Sequence, residues 1–192
     1  MTSEKTESGF GRIGAVLGRL RRDKRGATAI EFGMVATPFL MLVFGIIQVG
    51  LLFFATFTIE NATEQAARLI RTGQSQGMTA ASFAKCVCSF SASFVDCTNK
   101  LRINVQSFPT FAGITPPSGL TAAQTLNNTQ NFTAGNGGDV VLVTTFYEWD
   151  LAGKLPFLKM TNMAGNNFLI QAATTFRNEP YTTTTAPPAK CL

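Results

Sequence analysis

The 192 residues contain no histidine. This removes the side chain most often used as a general base near neutral pH, and the commonest nitrogen ligand of transition metals. Nothing takes its place: there is no nucleophile elbow and no phosphate-binding loop. The carboxylates of the C-terminal part, Asp96, Asp139, Glu148, Asp150 and Glu179, are scattered along the chain. The composition therefore points away from an enzyme, and no cofactor or metal is expected. Charge is also scarce, at 14% of residues. The net charge of +5 is no sign of nucleic-acid binding, because the basic residues are not spread among aromatic or amide readers on a folded face. They are gathered at the N-terminus as Lys5, Arg12, Arg19, Arg21, Arg22, Lys24 and Arg25, against Glu4, Glu7 and Asp23. No nucleic-acid partner is expected.

The basic block is followed at once by a stretch without any charge. From Phe32 to Ile59 the chain reads FGMVATPFLMLVFGIIQVGLLFFATFTI. A bilayer crossing needs about 20 apolar residues, so this run is long enough even when tilted. It is too long for the apolar core of a secretory signal peptide, and LRRDKRG around Arg21-Arg22 is too charged for a twin-arginine signal. Positive flanks stay cytoplasmic, which places the N-terminus inside and the C-terminal part outside. One crossing of a membrane is expected, with the C-terminal domain on its outer side and the lipid bilayer as first partner.

Helix formers continue past the membrane in ENATEQAARLIRT, with Ala62, Ala66, Leu69 and Ile70 on one face. Glu64 and Arg68 stand in the favourable i,i+4 order, and Gly73 is placed as a C-cap. The reading is one helix of about 45 residues, or about 65–70 Å at 1.5 Å per residue. Pro38 removes a backbone donor within it and is expected to bend it locally.

At the threshold of the apolar run stands Arg25-Gly26-Ala27-Thr28-Ala29-Ile30-Glu31-Phe32. A carboxylate at this depth costs a few kcal/mol unless it snorkels, is protonated or finds a partner. By itself Glu31 is equally readable as a snorkelling interfacial side chain. The whole junction, however, resembles the prepilin-peptidase site of type IV pilin-like proteins, in which the chain is cut after glycine and the fifth mature residue is glutamate. GATAIEFG, residues 26–33, looks like the Flp and TadE branch of that superfamily, and so does EQAARLIRTGQ after the span. GDVVLVTTFYEW and ATTFRNEPY further on resemble the longer TadE-like proteins.

The resemblance implies a processing site at Gly26 and Ala27, with Glu31 and Pro38 in helix assembly. It also implies that Glu31 pairs with the Ala27 amine of a neighbouring subunit, and that Gly33, Gly45 and Gly50 permit close helix approach. The implied location is a bacterial inner membrane, crossed once, with the N-terminus cytoplasmic and the C-terminal domain periplasmic; the implied partners are other Tad pilins and pseudopilins, the pilus assembly machinery and a prepilin peptidase. The implied function is that of a minor pseudopilin or membrane-anchored assembly component of a Tad (Flp) pilus, serving pilus biogenesis, adhesion and secretion. The alternative is a generic single-pass membrane-anchored periplasmic binding or sensor domain. The sequons at Asn61, Asn127 and Asn131 are read as chance.

The expected fold class is α+β: a long N-terminal membrane-spanning helix, then a small extracytoplasmic domain with one helix and an antiparallel sheet. The divisions are a basic leader at 1–26, a transmembrane and stalk helix at 27–73, a domain at 74–181 and a Thr/Pro-rich tail at 182–192. Apolar residues at spacings of three and four predict a helix over Met78–Phe94. Alternation predicts strands at 101–108, at Asp139–Trp149 and at Asn167–Phe176. Residues 109–137, rich in Pro, Gly, Asn, Thr and Ser, are expected to form a flexible surface loop. Residues 150–166 are too many for a tight hairpin, and Leu155, Pro156, Phe157 and Leu158 form an apolar tip. That tip is readable as a loop folded over the sheet or as a contact with a subunit or the membrane surface.

Four cysteines, Cys86, Cys88, Cys97 and Cys191, all follow the span. An even number on the outer side of a membrane fits structural disulfides better than metal, since C-x-C is not a zinc-knuckle spacing. Three pairings are possible and the sequence does not choose among them. The family resemblance supports Cys88–Cys97, which leaves Cys86–Cys191 to staple the tail.

Overall fold

The computed structural model describes residues 26–150, 161–181 and 191. The basic leader, the apolar tip at 155–158 and the tail from 182 to 190 lie outside the described residues. The chain divides into two compact units, Met1–Ile46 and Ile47–Leu192. Helix α1 (Ala27–Arg71) runs for 45 residues with Pro38 inside it. Helix α2 is Ala80–Phe90. Four strands follow: β1 (Leu101–Phe108), β2 (Asn131–Phe132), β3 (Val140–Asp150) and β4 (Asn167–Arg177).

Within the second unit, α1 presents a regular stripe to the sheet. Leu52, Ala55, Ile59, Ala62, Ala66 and Ile70 are buried at helical spacing. Three of these six positions are alanine and Ala67 is buried beside them, so backbone and sheet approach closely. Across from them are Leu101, Ile103 and Val105 of β1, Val141, Val143 and Tyr147 of β3, and Ile170 and Ala172 of β4. The register explains why these side chains share a face: Leu101 pairs with Tyr147 and Tyr147 with Ile170, while Val105 pairs with Val143. Helix α2 adds Phe83 and Val87 to the same core, and Phe83 meets Phe132 at 5.2 Å.

The sheet order is β2-β1-β3-β4. β1, β3 and β4 are antiparallel. The sheet is nevertheless mixed, because β2 lies parallel to β1. A parallel neighbour requires the chain to travel back along the sheet first, and the segment after Phe108 is long enough to do so.

That segment also covers the second face of the sheet. Leu126 is buried with Phe146, Met163 and Leu169, and Leu120 packs beside them. Gly119 lies against the Phe146 ring, where a Cβ would sit 2.3 Å from a ring carbon. Leu120 bridges to Leu126, and the Ala164 N–H donates to the Gln124 carbonyl at 2.8 Å. The sequence composition reads as a flexible loop; the apolar second face of β3, with Leu142 and Phe146, gives the segment something to cover. Burying a side chain such as Phe146 contributes about 1.5–3 kcal/mol.

Helix α2 is shorter than its apolar pattern. Thr79 caps its start, accepting the Ser82 N–H at 3.2 Å. At its end the Ser91 N–H and hydroxyl both donate to the Cys88 carbonyl, and the Cys88–Cys97 disulfide turns the chain back within nine residues. The second disulfide joins Cys86 to Cys191 across 105 residues, with both cysteines fully buried beside Leu69.

The end of α1 is a complete left-handed cap. The Gly73 N–H donates to the Ile70 carbonyl at 3.0 Å and the Gln74 N–H to the Leu69 carbonyl at 2.8 Å, with Gly73 at φ +77°. This two-bond pattern satisfies carbonyls that have no partner inside the helix. The chain after β4 then closes over it. The Glu179 N–H donates to the Arg71 carbonyl, the Glu179 carboxylate pairs with Arg71 at 3.4 Å, and the Tyr181 ring covers Gly73. The i,i+4 partner expected for Glu64 is not used: among the described residues the ion pairs are Arg71–Glu179 and Lys100–Asp150. An exposed helix pair is worth only about 0.2–0.5 kcal/mol, too little to hold two mobile side chains together.

Candidate functional site

Gly26 forms a single tight turn, and Ala27 opens the α-helix. Every residue from Gly26 to Val35 is exposed. A Cβ added at Gly26 would meet nothing within 4 Å, and its φ lies outside the left-handed range. Among the described residues, neither packing nor backbone conformation requires glycine there. The same holds for Gly33, Gly45 and Gly50, each with open space at the Cβ position. Glycine inside a helix costs about 1 kcal/mol relative to alanine.

Glu31, four residues after Ala27, is exposed and has no cationic partner among the described residues. Around it the surface is apolar: Phe32 and Met34 are each 73% exposed. Farther along, Phe39, Leu42, Phe44, Ile46 and Phe53 also face outward. In water this would be an unusually large apolar surface for one helix, and in lipid it is the expected one. Thr37, Thr56 and Thr58 donate to the carbonyls of Gly33, Leu52 and Phe54, at 2.7, 2.9 and 2.8 Å. Each hydroxyl is thus satisfied by its own helix. The helix fits a single-pass membrane anchor.

Of the residues that sequence reasoning singles out, Gly26, Ala27 and Glu31 share one helical start, and Pro38 lies farther along the same helix without ending it. Cys86, Cys88, Cys97 and Cys191 lie in the second unit, all in disulfides. They offer no thiolate for nucleophilic or metal chemistry. Among the described residues no group of three or more Cys, Asp or Glu side chains is placed to hold a metal ion.

Titration in the second unit follows local structure. Asp96 accepts the N–H groups of Asn99 and Thr98 in the turn before β1, and these bonds, Asn99 foremost, hold its carboxyl below its ordinary range. Lys100 is raised, chiefly by its hydrogen bond to the Asp150 carboxylate. Burial pushes the Tyr147 phenol up. The Tyr147 oxygen accepts the Asp96 N–H at 3.1 Å, so these groups bind the turn to β3.

Two features have little signal in the sequence. One is the clasp of Gln76, Asn178 and Tyr181: the Gln76 amide donates to the Gly135 carbonyl and to the Tyr181 hydroxyl, both at 2.8 Å. The other is a chain of rings, Phe54, Phe94, Trp149 and Tyr147, that links α1 to the end of β3. A single tryptophan at a strand end was the available clue to it.

Compared with known proteins, residues 26–68 match the family model described as TadE-like protein. The match begins at Gly26, one residue before α1, and ends three residues before α1 does. It agrees with the resemblance carried by GATAIEFG and EQAARLIRTGQ. No match was found among curated proteins or among solved structures.

Proposed function

We propose, from the premise that residues 26–68 match TadE-like proteins, that this chain is a minor pseudopilin or membrane-anchored assembly component of a Tad (Flp) pilus. Its role is structural rather than catalytic, in support of pilus biogenesis and of the adhesion and secretion that such a pilus serves. The observation that carries the reading is the coincidence at the junction. The family match starts at Gly26, the helix starts at Ala27, and among the described residues nothing lies within 4 Å of a Cβ placed at Gly26. A residue without Cβ gives a peptidase close access to the backbone. The cut after Gly26 removes the basic leader and leaves a charged amine on Ala27 near the membrane surface. Glu31 of one subunit then pairs with the Ala27 amine of its neighbour, so that both charges are neutralised where solvation is poor. Gly33, Gly45 and Gly50 let pilin-like helices pack closely against α1.

In this reading the protein sits in the inner membrane with its N-terminus cytoplasmic, as the basic leader directs. The domain beyond Gly73 is the part that distinguishes it from a small major pilin. The test is genetic. A strain lacking the chain loses surface pili while still making the major pilin, and Glu31→Gln restores membrane insertion but not pili. Normal piliation with Glu31→Gln refutes the amine pairing, and normal piliation without the chain refutes the assembly role.

A further inference from the structure

Trp149, the single tryptophan of the chain, stands near the end of β3 and is half-buried. Its ring meets Phe94 edge-on at 6.1 Å, and Phe94 lies 5.5 Å from Phe54 of α1. Phe94 and Phe54 remain 43% and 56% exposed. Leu51, Phe53 and Phe57 on the adjoining turns of α1 are exposed as well. The rings therefore form an outward apolar patch shared by the helix and the domain, all within the unit Ile47–Leu192.

The position of this patch along α1 decides what covers it. A hydrocarbon core of about 30 Å entered at Phe32 is crossed in about 20 helical residues, which ends near Leu51–Phe53. Phe54 then falls at the outer boundary, and the next charged residue is Glu60. Tryptophan prefers this depth, because its ring is apolar while its indole N–H favours the wet side. Polar groups lie close by along the chain: Asp150, ion-paired to Lys100, follows Trp149, and Asp96 lies in the turn that follows Phe94. We propose that Phe54, Phe94 and Trp149 form an aromatic seat by which the domain rests on the outer lipid interface. The occupant is the bilayer that α1 crosses, since the patch continues the exposed apolar surface of α1. The seat orients the domain against the membrane, so that the emerging helix does not swing freely. The inference rests on α1 as a membrane span.

Because Trp149 is alone, tryptophan emission of the full chain reports this one position. The experiment reconstitutes the protein into phosphatidylcholine–phosphatidylglycerol vesicles whose lipids carry bromine either near the headgroup or near the chain terminus. Bromine near the headgroup is expected to remove most of the emission, deep bromine less, and aqueous iodide little. Phe94→Ser is expected to raise iodide quenching and lower bromine quenching while the far-ultraviolet spectrum is unchanged. Iodide quenching without bromine quenching overturns the seat. So does emission insensitive to both quenchers, which places Trp149 away from lipid and water alike. Flotation with the vesicles after alkaline extraction is measured on the same sample. Its failure removes the membrane span itself, whereas flotation with Trp149 unquenched by lipid removes only the seat.

Discussion

Replacing Gly73 by alanine is expected to loosen the end of α1 through two separable costs. The first is backbone conformation: at φ +77° an L side chain costs about 1–2 kcal/mol. The second is steric. The new Cβ would lie 2.8–3.0 Å from three atoms of the Tyr181 ring, closer than carbon atoms pack, so the ring must move. Moving it breaks the Gln76–Tyr181 bond at 2.8 Å and weakens the Tyr181–Gly135 contact at 3.3 Å. Each such bond contributes about 0.5–1.5 kcal/mol net. Together the substitution should cost about 2–4 kcal/mol. A double-mutant cycle with Tyr181→Ala separates the terms, because without the ring only the backbone cost remains. Thermal unfolding of the full chain in detergent micelles, followed by Trp149 emission, measures all four corners. Gly73→Asn should recover part of the backbone cost but none of the clash, since asparagine tolerates the left-handed region. A loss below about 0.5 kcal/mol for Gly73→Ala, or no coupling to Tyr181, refutes the reasoning.

Three further expectations can be checked in the same unfolding assay. Thr63 and Thr145 are both buried and bonded at 2.9 Å, so Thr63→Val should cost about 1–3 kcal/mol by leaving Thr145 unpaired. Thr63→Val with Thr145→Val should recover part of that loss; a double variant as unstable as the sum contradicts the pairing. Cys191→Ser opens a loop of about 100 residues and Cys97→Ser one of about 10, so chain entropy predicts losses of about 4.7 and 2.6 kcal/mol respectively. The reverse order counts against that account. Lys100 and Tyr147 both have raised pKa values, so their stabilising contribution is complete below their unfolded values and fades as pH climbs through the folded ones. Stability should therefore fall as pH rises above about 10. Asp150→Asn, which removes the main cause for Lys100, should make that fall shallower; an unchanged slope contradicts the assignment.

What the sequence revealed was whatever has a periodic or local physical signature. The uncharged run from Phe32 is legible because lipid tolerates few charges, and Ala62, Ala66 and Ile70 are legible because a helix buries every third or fourth residue. β1 could be read to the residue, since Leu101, Ile103 and Val105 alternate with the polar Arg102, Asn104 and Gln106. Gly73 was visible as a cap from its place after Arg71, but its contact with Tyr181 was not: that depends on where the chain returns about 100 residues later. The short parallel strand at Asn131–Phe132 was hidden for a similar reason. Two residues have no periodicity, and their pairing is decided by the path of the preceding segment. That segment reads as flexible by composition because turn-forming residues surround only two leucines, Leu120 and Leu126, that pack on the sheet. At the junction, residue types carried the resemblance, while the structure added the open space beside Gly26. The aromatic chain from Phe54 to Trp149 joins α1, the turn after α2 and β3, which are far apart in sequence, and no local pattern links them.

The account turns on whether the helix is given a new beginning. N-terminal mapping by mass spectrometry, on protein isolated from cells that contain the prepilin peptidase, tests this directly. The expected first residue is Ala27, with the intact N-terminus reappearing when the peptidase is removed. A chain that keeps its leader in the presence of active peptidase contradicts processing after Gly26, and with it the pairing of Glu31 to a neighbour's new amine.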